Sequence, residues 1–384
     1  HRQGAVRLPD PPSAQWQHRN RHCLNQPVET DNQRRFDRVR VLVPGTGARF
    51  RCGGLTVALQ TARILSGLLT TEVVTYRERN PDCSFLEDLL VLPADADRSL
   101  WLVSWGFDVP KLLKKLRCRQ VIYQAHSTGY GFDLPPGIPV IAVSRNTLGY
   151  WADRAPRNPL FFLPNALEPQ WMRPNDAAVA RSRPIDVLVQ VRKSSPYVIN
   201  QLLPALRDEG LNVCLQSGWV DDLVQLFRDA KVYIYDSAEY WRGRGVSEGF
   251  GLPPIEALAS GCVVFTSFNH ALADLLTPGT TAHQIGCGNL KYDVSRIVAS
   301  VNHPLEWSGN DLEISSILNE VSEQRLVDGW SSVIKQLESG FYFWHRNSDL
   351  LRSSSTVVLR QRHRISRIKA ILKKTLATIV GRSV

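Results

Sequence analysis

The regular alternation of short apolar segments with helical ones is the feature that most constrains the fold of this chain. Residues 39–43 form a β-branched run, a glycine-rich turn covers 44–54, and 55–69 carries apolar residues at helical spacing. This order of strand, glycine turn and helix is typical of the start of an α/β unit. Further strands, several of them separated by helical segments, are predicted at 72–76, 100–104, 120–124, 140–143 and 160–163. The pattern predicts a mostly parallel sheet.

A second series of the same kind begins at residue 185. The segment 164–183 before it is rich in proline, asparagine, aspartate, arginine and serine, and is predicted to be a linker. The second series has predicted strands at 185–189, 212–216, 231–235 and 262–266, and predicted helices at 197–209, 221–230 and 253–260. Two α/β domains in tandem enclose a cleft, and ligands bind outside the carboxyl ends of parallel strands. The loops that follow strands are therefore where a site is expected.

The positive charge of the chain lies at its ends. The formal net charge is +10, yet 350–384 alone holds nine Lys or Arg residues and no Asp or Glu. Residues 1–40 hold eight basic and four acidic residues, so the body between the two ends is close to neutral. A nucleic-acid enzyme would carry its basic surface on the folded body, so no nucleic-acid partner is expected. Residues 1–38 are predicted to be an extension, and a chain that begins with His1 is expected to be a fragment or a trimmed product.

The basic tail also has a helical pattern. Apolar residues recur there at steps of three and four and form one stripe: Ile368, Ile371, Leu372, Leu376, Ile379 and Val380. Arg364, Arg367, Lys373 and Lys374 lie mostly on its flanks or back, and Lys369 falls inside it. This pattern favours an amphipathic helix over 360–380, which either lies on an anionic membrane surface or packs on another domain. The alternative is a solvated, partly disordered extension.

The remaining composition favours a cytoplasmic protein that does not span a membrane. No run of about 18 apolar residues is present, so no membrane-spanning helix is predicted. The seven cysteines are scattered, without C-x-x-C pairs or Cys/His groups at zinc spacing. They are expected to be reduced thiols, and no metal site is predicted.

The segment 247–261 carries the most information about function. Gly249 and Gly251 permit a close backbone approach, and Pro253 and Pro254 suit the first turn of a helix that Gly261 would cap. A helix N-terminus behind a glycine turn attracts anions, because free amides and the helix dipole point to one place. A diphosphate would fit there.

Two carboxylates accompany that anion site. Glu248 lies in the loop, towards the mouth of the cleft, and Glu256 lies in the predicted first helical turn. A carboxylate at Glu256 can accept hydrogen bonds from two vicinal hydroxyl groups, as on a ribose. The alternative is an ordinary helix begun by proline, whose N-terminal glutamate favours the dipole.

This pair, in the setting E-G-F-G-L-P-x-x-E-A-x-A-x-G, resembles the signature of the family-4 retaining glycosyltransferases of GT-B fold. Weaker resemblances follow the family order at Gly53-Gly54, 142–144, 163–166 and 229–237. The resemblance implies an α/β protein with two Rossmann-like domains that face a central cleft. The implied parts are an extension at 1–38, an acceptor domain at 39–170, a donor domain at 184–335, a closing helix at 336–350 and a basic amphipathic tail at 351–384.

The resemblance also implies roles for individual residues. Glu256 would hold the ribose hydroxyls and Glu248 would contact the donor sugar. Arg192 matches the family arginine that neutralises the leaving diphosphate. The family lysine falls on Tyr197, so that Lys193 becomes a candidate instead. His126 is a candidate for contact with the donor sugar, the alternative being an ordinary loop histidine. The other implied donor-binding residues are Gly53, Gly54, Gly249, Phe250, Gly251 and Leu252.

The activity implied by the resemblance is metal-independent, retaining transfer of a hexose. The donor is a nucleotide-diphosphate sugar, no other cofactor is needed, and the acceptor is a glycan or a lipid-linked glycan, as in polysaccharide biosynthesis. Three alternatives remain at this stage: a nucleotide-sugar epimerase, a catalytically inactive scaffold of a glycan pathway, and a nicotinamide-dependent oxidoreductase. The last would use Gly45 and Gly47, but the third glycine of its motif falls on Phe50.

Overall fold

The computed structural model describes residues 36–172, 183–344 and 350–380. Most of the predicted N-terminal extension, the second half of the predicted linker and the last residues of the tail lie outside them. The side chains of 341–343 and 377–380 are also outside the description.

The first sheet has seven strands, and all of them run parallel. They are β1 (Arg38–Val43), β2 (Thr70–Thr75), β3 (Ser84–Phe85), β4 (Ser99–Val103), β5 (Gln120–Ala125), β6 (Val140–Ala142) and β7 (Leu160–Phe162). Their order across the sheet is β3-β2-β1-β4-β5-β6-β7. Strands such as β4 are buried along their whole length, because helices cover both faces of a parallel sheet. Only β3 was not predicted, since two residues are too few to show a period.

The second sheet has five parallel strands. They are β8 (Ile185–Gln190), β9 (Val213–Gln216), β10 (Ala230–Tyr235), β11 (Val263–Thr266) and β12 (His283–Gln284). Their order is β12-β11-β10-β8-β9. In both sheets the first strand in sequence is an inner strand, which is the arrangement of a doubly wound α/β domain. The two predicted α/β series are thus confirmed.

Helices connect the strands and cover the sheets. Those up to the end of the first sheet are α1 (Gly53–Ser66), α2 (Leu86–Leu89), α3 (Val109–Lys115) and α4 (Arg145–Arg154). Those around the second sheet are α5 (Leu203–Asp208), α6 (Leu223–Arg228), α7 (Ala238–Arg242), α8 (Leu252–Ala259), α9 (Leu272–Leu275), α10 (Leu290–Asn302), α11 (Pro304–Trp307) and α12 (Asp311–Glu320). The last two are α13 (Glu323–Trp344) and α14 (Thr356–Val380). Part of the helix predicted at 197–209 is a π-helical turn, Val198–Leu202, ahead of α5.

Helix α13 returns from the second sheet to the first. Its apolar face packs in the same core as strands β1 and β4, and contributes Leu326, Trp330, Val333, Ile334 and Leu337. The predicted closing helix at 336–350 therefore had the wrong start, because the helix begins at Glu323. Its apolar positions run without interruption from Leu326, and only the packing shows that they form one helix.

Two further predictions concern cysteines and membranes. Five of the described cysteines are free thiols, namely Cys52, Cys83, Cys214, Cys262 and Cys287. Cys118 is disulfide-bonded, so the expectation that every thiol is reduced is wrong at this position. Within the described ranges, no helix is both long enough and apolar enough to cross a membrane.

Candidate functional site

Loops that follow strands of the two sheets meet across the cleft at Ser247. The Thr128 hydroxyl donates to the Ser247 hydroxyl oxygen at 2.8 Å, and the Thr128 amide does so at 3.2 Å. The Asn146 side-chain amide donates to the same oxygen at 3.3 Å. The Ser127 hydroxyl donates to the Ser247 carbonyl oxygen at 2.6 Å. These hydrogen bonds join residues that follow strands β5 and β6 to the loop that carries Glu248.

Two glycines make this close approach possible. A Cβ added at Gly249 would lie 1.4 Å from the carbonyl oxygen of His126, and one at Gly129 would lie 2.1 Å from that of Gly245. Gly129 also has a φ of +87°, which L side chains rarely adopt. The requirement for glycine at Gly249 therefore comes from the opposite domain, where His126 and Ser127 leave no room for a Cβ.

Glu248 is the centre of a buried polar cluster at the ends of β8 and β10. Its Oε2 accepts hydrogen bonds from the Tyr235 hydroxyl at 2.5 Å and the Trp241 indole at 2.7 Å. The Ser237 hydroxyl donates to the same oxygen at 3.2 Å. Oε1 accepts from Lys193 Nζ at 3.2 Å. Glu248 itself is only 4% exposed, so its carboxylate is largely shielded from water, while Lys193 remains partly exposed.

This environment keeps Glu248 ionised. Burial works to raise the pKa of its carboxyl, but the Lys193 charge and the hydrogen bonds from Tyr235 and Trp241 hold the pKa below its ordinary value. Burial, followed by the neighbouring charge of Glu248, raises the pKa of Tyr235, which therefore remains a hydrogen-bond donor. The Glu248 carboxylate is thus a fixed negative charge surrounded by hydrogen-bond donors.

The loop after β8 presents one of its two neighbouring cations to the cluster. Lys193 has a φ of +70° and places Nζ 4.6 Å from the centre of the Trp241 ring, as well as on Glu248. Arg192 is exposed on the same loop. Tyr197, at the position of the family lysine, turns away and donates to Asp293 Oδ2 at 2.6 Å. Lys193 is thus the cation of this loop that reaches Glu248.

Helix α8 begins as its sequence predicts. Gly251 precedes it with a φ of +89°, Pro253 and Pro254 occupy the first turn, and Gly261 follows the helix with a φ of +75°. Glu256 lies in the second turn, so its predicted place in the first turn is corrected. Pro253 and Pro254 carry no N–H, so an anion at the start of α8 could bind only the amide of Leu252 and those of the residues just before it.

The carboxyl of Glu256 is in the opposite electrostatic state to that of Glu248. Burial, and next the charge of Glu168, raises the pKa of Glu256 to about 8, although Lys193 opposes this. At neutral pH the Glu256 carboxyl is therefore protonated in the ligand-free protein. The pKa values of the two carboxyl groups thus shift in opposite directions, because only Glu248 is surrounded by hydrogen-bond donors.

This difference predicts a pH dependence of stability. The folded protein binds the Glu256 proton more tightly than the unfolded chain, whose glutamate pKa is 4.5. Its contribution to the free energy of unfolding is complete below pH 4.5 and falls as the pH rises towards 8, by at most about 1.4 kcal/mol per pH unit. Glu256→Gln should remove this slope and be more stable than the wild type at pH 8, in urea unfolding at several pH values.

The wild type and Glu256→Gln must be compared at each pH, because titration of His126 changes the free energy of unfolding in the opposite direction. Burial lowers the pKa of His126 from 6.5 to about 4, so its contribution is lost as the pH falls through that window. Subtracting the Glu256→Gln profile from that of the wild type isolates the glutamate. Parallel profiles for the two proteins would show that Glu256 is already ionised at neutral pH.

His126 lies at the end of β5, with its carbonyl oxygen against Gly249. Its side-chain Nε2 is buried and has no hydrogen-bond partner among the described residues. A neutral imidazole with an unsatisfied nitrogen at the cleft can receive or donate one hydrogen bond to a ligand.

The remaining predicted site residues occupy different positions. Gly53 and Gly54 begin α1 after β1, and open space surrounds Gly53. The Phe250 side chain is buried in the core of the second sheet, so that only its backbone is available to a ligand. Leu252 is the first residue of α8.

Sequence reasoning missed Tyr235 and Ser237 as partners of Glu248. Both lie in or after β10, which was treated only as a strand that resembles the family pattern. Trp241 is a third such partner, because its indole donates to Glu248. The available signal in the sequence was that Tyr235 and Ser237 lie at the end of a predicted strand, shortly before the glutamate motif.

Comparison with known proteins identifies the fold. No family model and no curated protein sequence matches this chain. A solved glycosyltransferase from Rickettsia africae ESF-5 is 11% identical, with a TM-score of 0.58 over 79% of this chain and 98% of its own. Sucrose-phosphate synthase from Thermosynechococcus elongatus is 13% identical, with a TM-score of 0.55 over 79% of this chain and 99% of its own.

A third solved structure is the Anabaena protein HepE in complex with UDP and glucose. It is 12% identical, with a TM-score of 0.56 over 78% of this chain and 100% of its own. Each of these likenesses is one of architecture at low identity. The chain has the GT-B fold, an α/β fold in which two Rossmann-like domains face a cleft.

Proposed function

We propose that this protein is a metal-independent, retaining glycosyltransferase that transfers a hexose from a nucleotide-diphosphate sugar to a glycan or lipid-linked acceptor. The observation that carries the proposal is the buried, ionised Glu248, held by Lys193, Tyr235 and Trp241 beside the N-terminus of α8. In this arrangement the Glu248 carboxylate can contact a sugar, and the positive end of the α8 helix dipole can bind a phosphate.

The charges suit departure of a nucleoside diphosphate. Cleavage of the sugar–phosphate bond puts negative charge on the phosphate oxygen, while the sugar acquires oxocarbenium character. Lys193, Arg192 on the same loop and the amides of 250–252 would stabilise the phosphate. Glu248 would bind the donor sugar and stabilise its positive charge. These groups could neutralise the leaving group without a metal ion, and no separate cofactor is required.

The other site residues have roles in the same proposal. Glu256 would hold the ribose hydroxyls, and the neutral His126, with its unsatisfied Nε2, would contact the donor sugar. Gly249 and Gly251 would bring the backbone close to the diphosphate, and Gly53-Gly54 would approach it from the first domain.

Retention of configuration at the donor sugar would follow from attack on the face that the phosphate leaves, with the phosphate oxygen taking the proton of the acceptor hydroxyl. The proposed setting is the synthesis of a polysaccharide.

UDP is the first nucleotide to test, because HepE of the same fold is known with UDP and glucose. The experiment is a thermal-shift screen of the full chain against UDP, GDP, ADP, dTDP and their sugars. A nucleotide at about 100 times its dissociation constant adds roughly 2.7 kcal/mol to the free energy of unfolding. One nucleotide should stabilise the wild type and have no effect on Glu256→Ala.

The outcomes separate the proposal from its alternatives. Stabilisation by one nucleotide, followed by release of that nucleotide only when an acceptor is present, supports a transferase. Conversion of the sugar without an acceptor would indicate an epimerase. A folded protein that responds to none of the nucleotides would indicate an inactive scaffold.

A further inference from the structure

Helix α14 is an amphipathic surface that the body of the protein leaves exposed. It extends for 25 residues, and the Ser355 hydroxyl accepts a hydrogen bond from the Val358 amide at its start. Its side chains from 356 to 376 are all solvent-exposed. The exposed apolar residues that share one face are Val358, Ile365, Ile368, Leu372 and Leu376. Their steps of seven, three, four and four residues keep them in one stripe.

The charge of α14 is of one sign only. The helix contains no Asp or Glu, and its seven basic residues are Arg360, Arg362, Arg364, Arg367, Lys369, Lys373 and Lys374. At 100° per residue, Arg364 borders one side of these five residues, and Lys369, which lies inside the longer stripe that includes Val380, borders the other. Long basic side chains at the border of an apolar stripe can rest their stems on hydrocarbon and keep their charges in water.

The apolar stripe and the positive charge of α14 together indicate which kind of partner it binds. A helix buried against a protein groove would carry mixed charges outside its apolar face, and a helix that binds nucleic acid has no use for five exposed apolar residues in one stripe. A bilayer surface with anionic headgroups satisfies both features at once, because it accepts the stripe into its acyl boundary and attracts the cations. The helix is too polar to cross the bilayer, which agrees with an in-plane position.

We propose that α14 is a membrane-surface helix that binds the protein to bilayers rich in anionic lipid. The apolar stripe inserts below the headgroups, and the basic residues on both borders lie among them. This function is separate from the chemistry in the cleft, so it can be tested without an identified donor.

The test is co-sedimentation of the full-length chain with vesicles. One set contains equal parts of phosphatidylglycerol and phosphatidylcholine, and the other contains phosphatidylcholine alone. We expect binding to the anionic vesicles at least tenfold tighter than to the neutral ones, and weaker binding as NaCl is raised. Ile368→Ser/Leu372→Ser should reduce binding by at least tenfold through loss of the stripe. Lys373→Glu/Lys374→Glu should do so through loss of charge.

The matched control is Lys111→Glu/Lys114→Glu, which makes the same charge change on exposed positions of α3. This variant should bind vesicles as the wild type does. Equal loss of binding in this control would overturn the proposal, since net charge alone would then be sufficient. Equal binding of the wild type to anionic and neutral vesicles would also overturn the proposal. A wild-type dimer in analytical ultracentrifugation that Ile368→Ser/Leu372→Ser dissociates, without vesicle binding by either protein, would assign the stripe to a second copy of this chain instead.

Discussion

Replacement of Glu248 by alanine should lower the rate of sugar transfer by about 10²–10³-fold, the usual effect of removing one preorganised electrostatic group. It should also lower the free energy of unfolding by about 2–4 kcal/mol. The buried Tyr235 hydroxyl would lose its acceptor, and the Lys193 ammonium would lose its counter-ion. Transfer is measured with the donor that the nucleotide screen identifies, and stability by urea unfolding.

Two further variants separate charge from shape. Glu248→Gln can still accept from Tyr235 and Trp241 but carries no charge, so it should fold better than the alanine variant and remain almost inactive. Glu239→Ala removes an exposed glutamate from neighbouring α7 and should have wild-type rate and stability. A Glu248→Gln enzyme with the wild-type rate would refute an electrostatic role for this carboxylate.

Replacement of Gly249 by alanine should lower transfer by about 10²-fold, because a displacement of about an ångström at a catalytic site can cost that much. The new methyl group would overlap the His126 carbonyl oxygen on the opposite domain, and a backbone atom cannot rotate away. The loop of Glu248 and the end of β5 would have to separate. Nucleotide binding should be weakened less than transfer, since Glu256, the proposed ribose ligand, lies seven residues further along the chain in α8.

The matched control for this substitution is Gly149→Ala. Gly149 lies in α4, has nothing within 4 Å of an added Cβ, and is exposed. Its replacement should raise the free energy of unfolding by about 0.5–1 kcal/mol, because alanine is the better helix former, and should leave the rate unchanged. If Gly249→Ala and Gly149→Ala were equally active, close apposition of the two domains at His126 would not be needed for transfer.

Much of the fold was predictable from local pattern. Short segments rich in valine, such as Arg38–Val43, favour strands, and the prolines and glycines around Leu252–Ala259 mark both ends of a helix. The two-residue strands β3 and β12 and the start of α13 were not predictable in this way. Their existence depends on pairing and packing with segments far away in the sequence.

The chain's amino-acid order alone determined two α/β series, the anion-suited turn before α8, and the choice of Glu248 and Glu256 as the important carboxylates. Only the tertiary structure decided their states. Donors from Lys193, Tyr235 and Trp241 keep Glu248 charged, whereas burial without comparable donors keeps Glu256 protonated. The same residue type in one motif takes opposite charges because a pKa depends on what long-range folding places around the group, and local sequence carries no record of that.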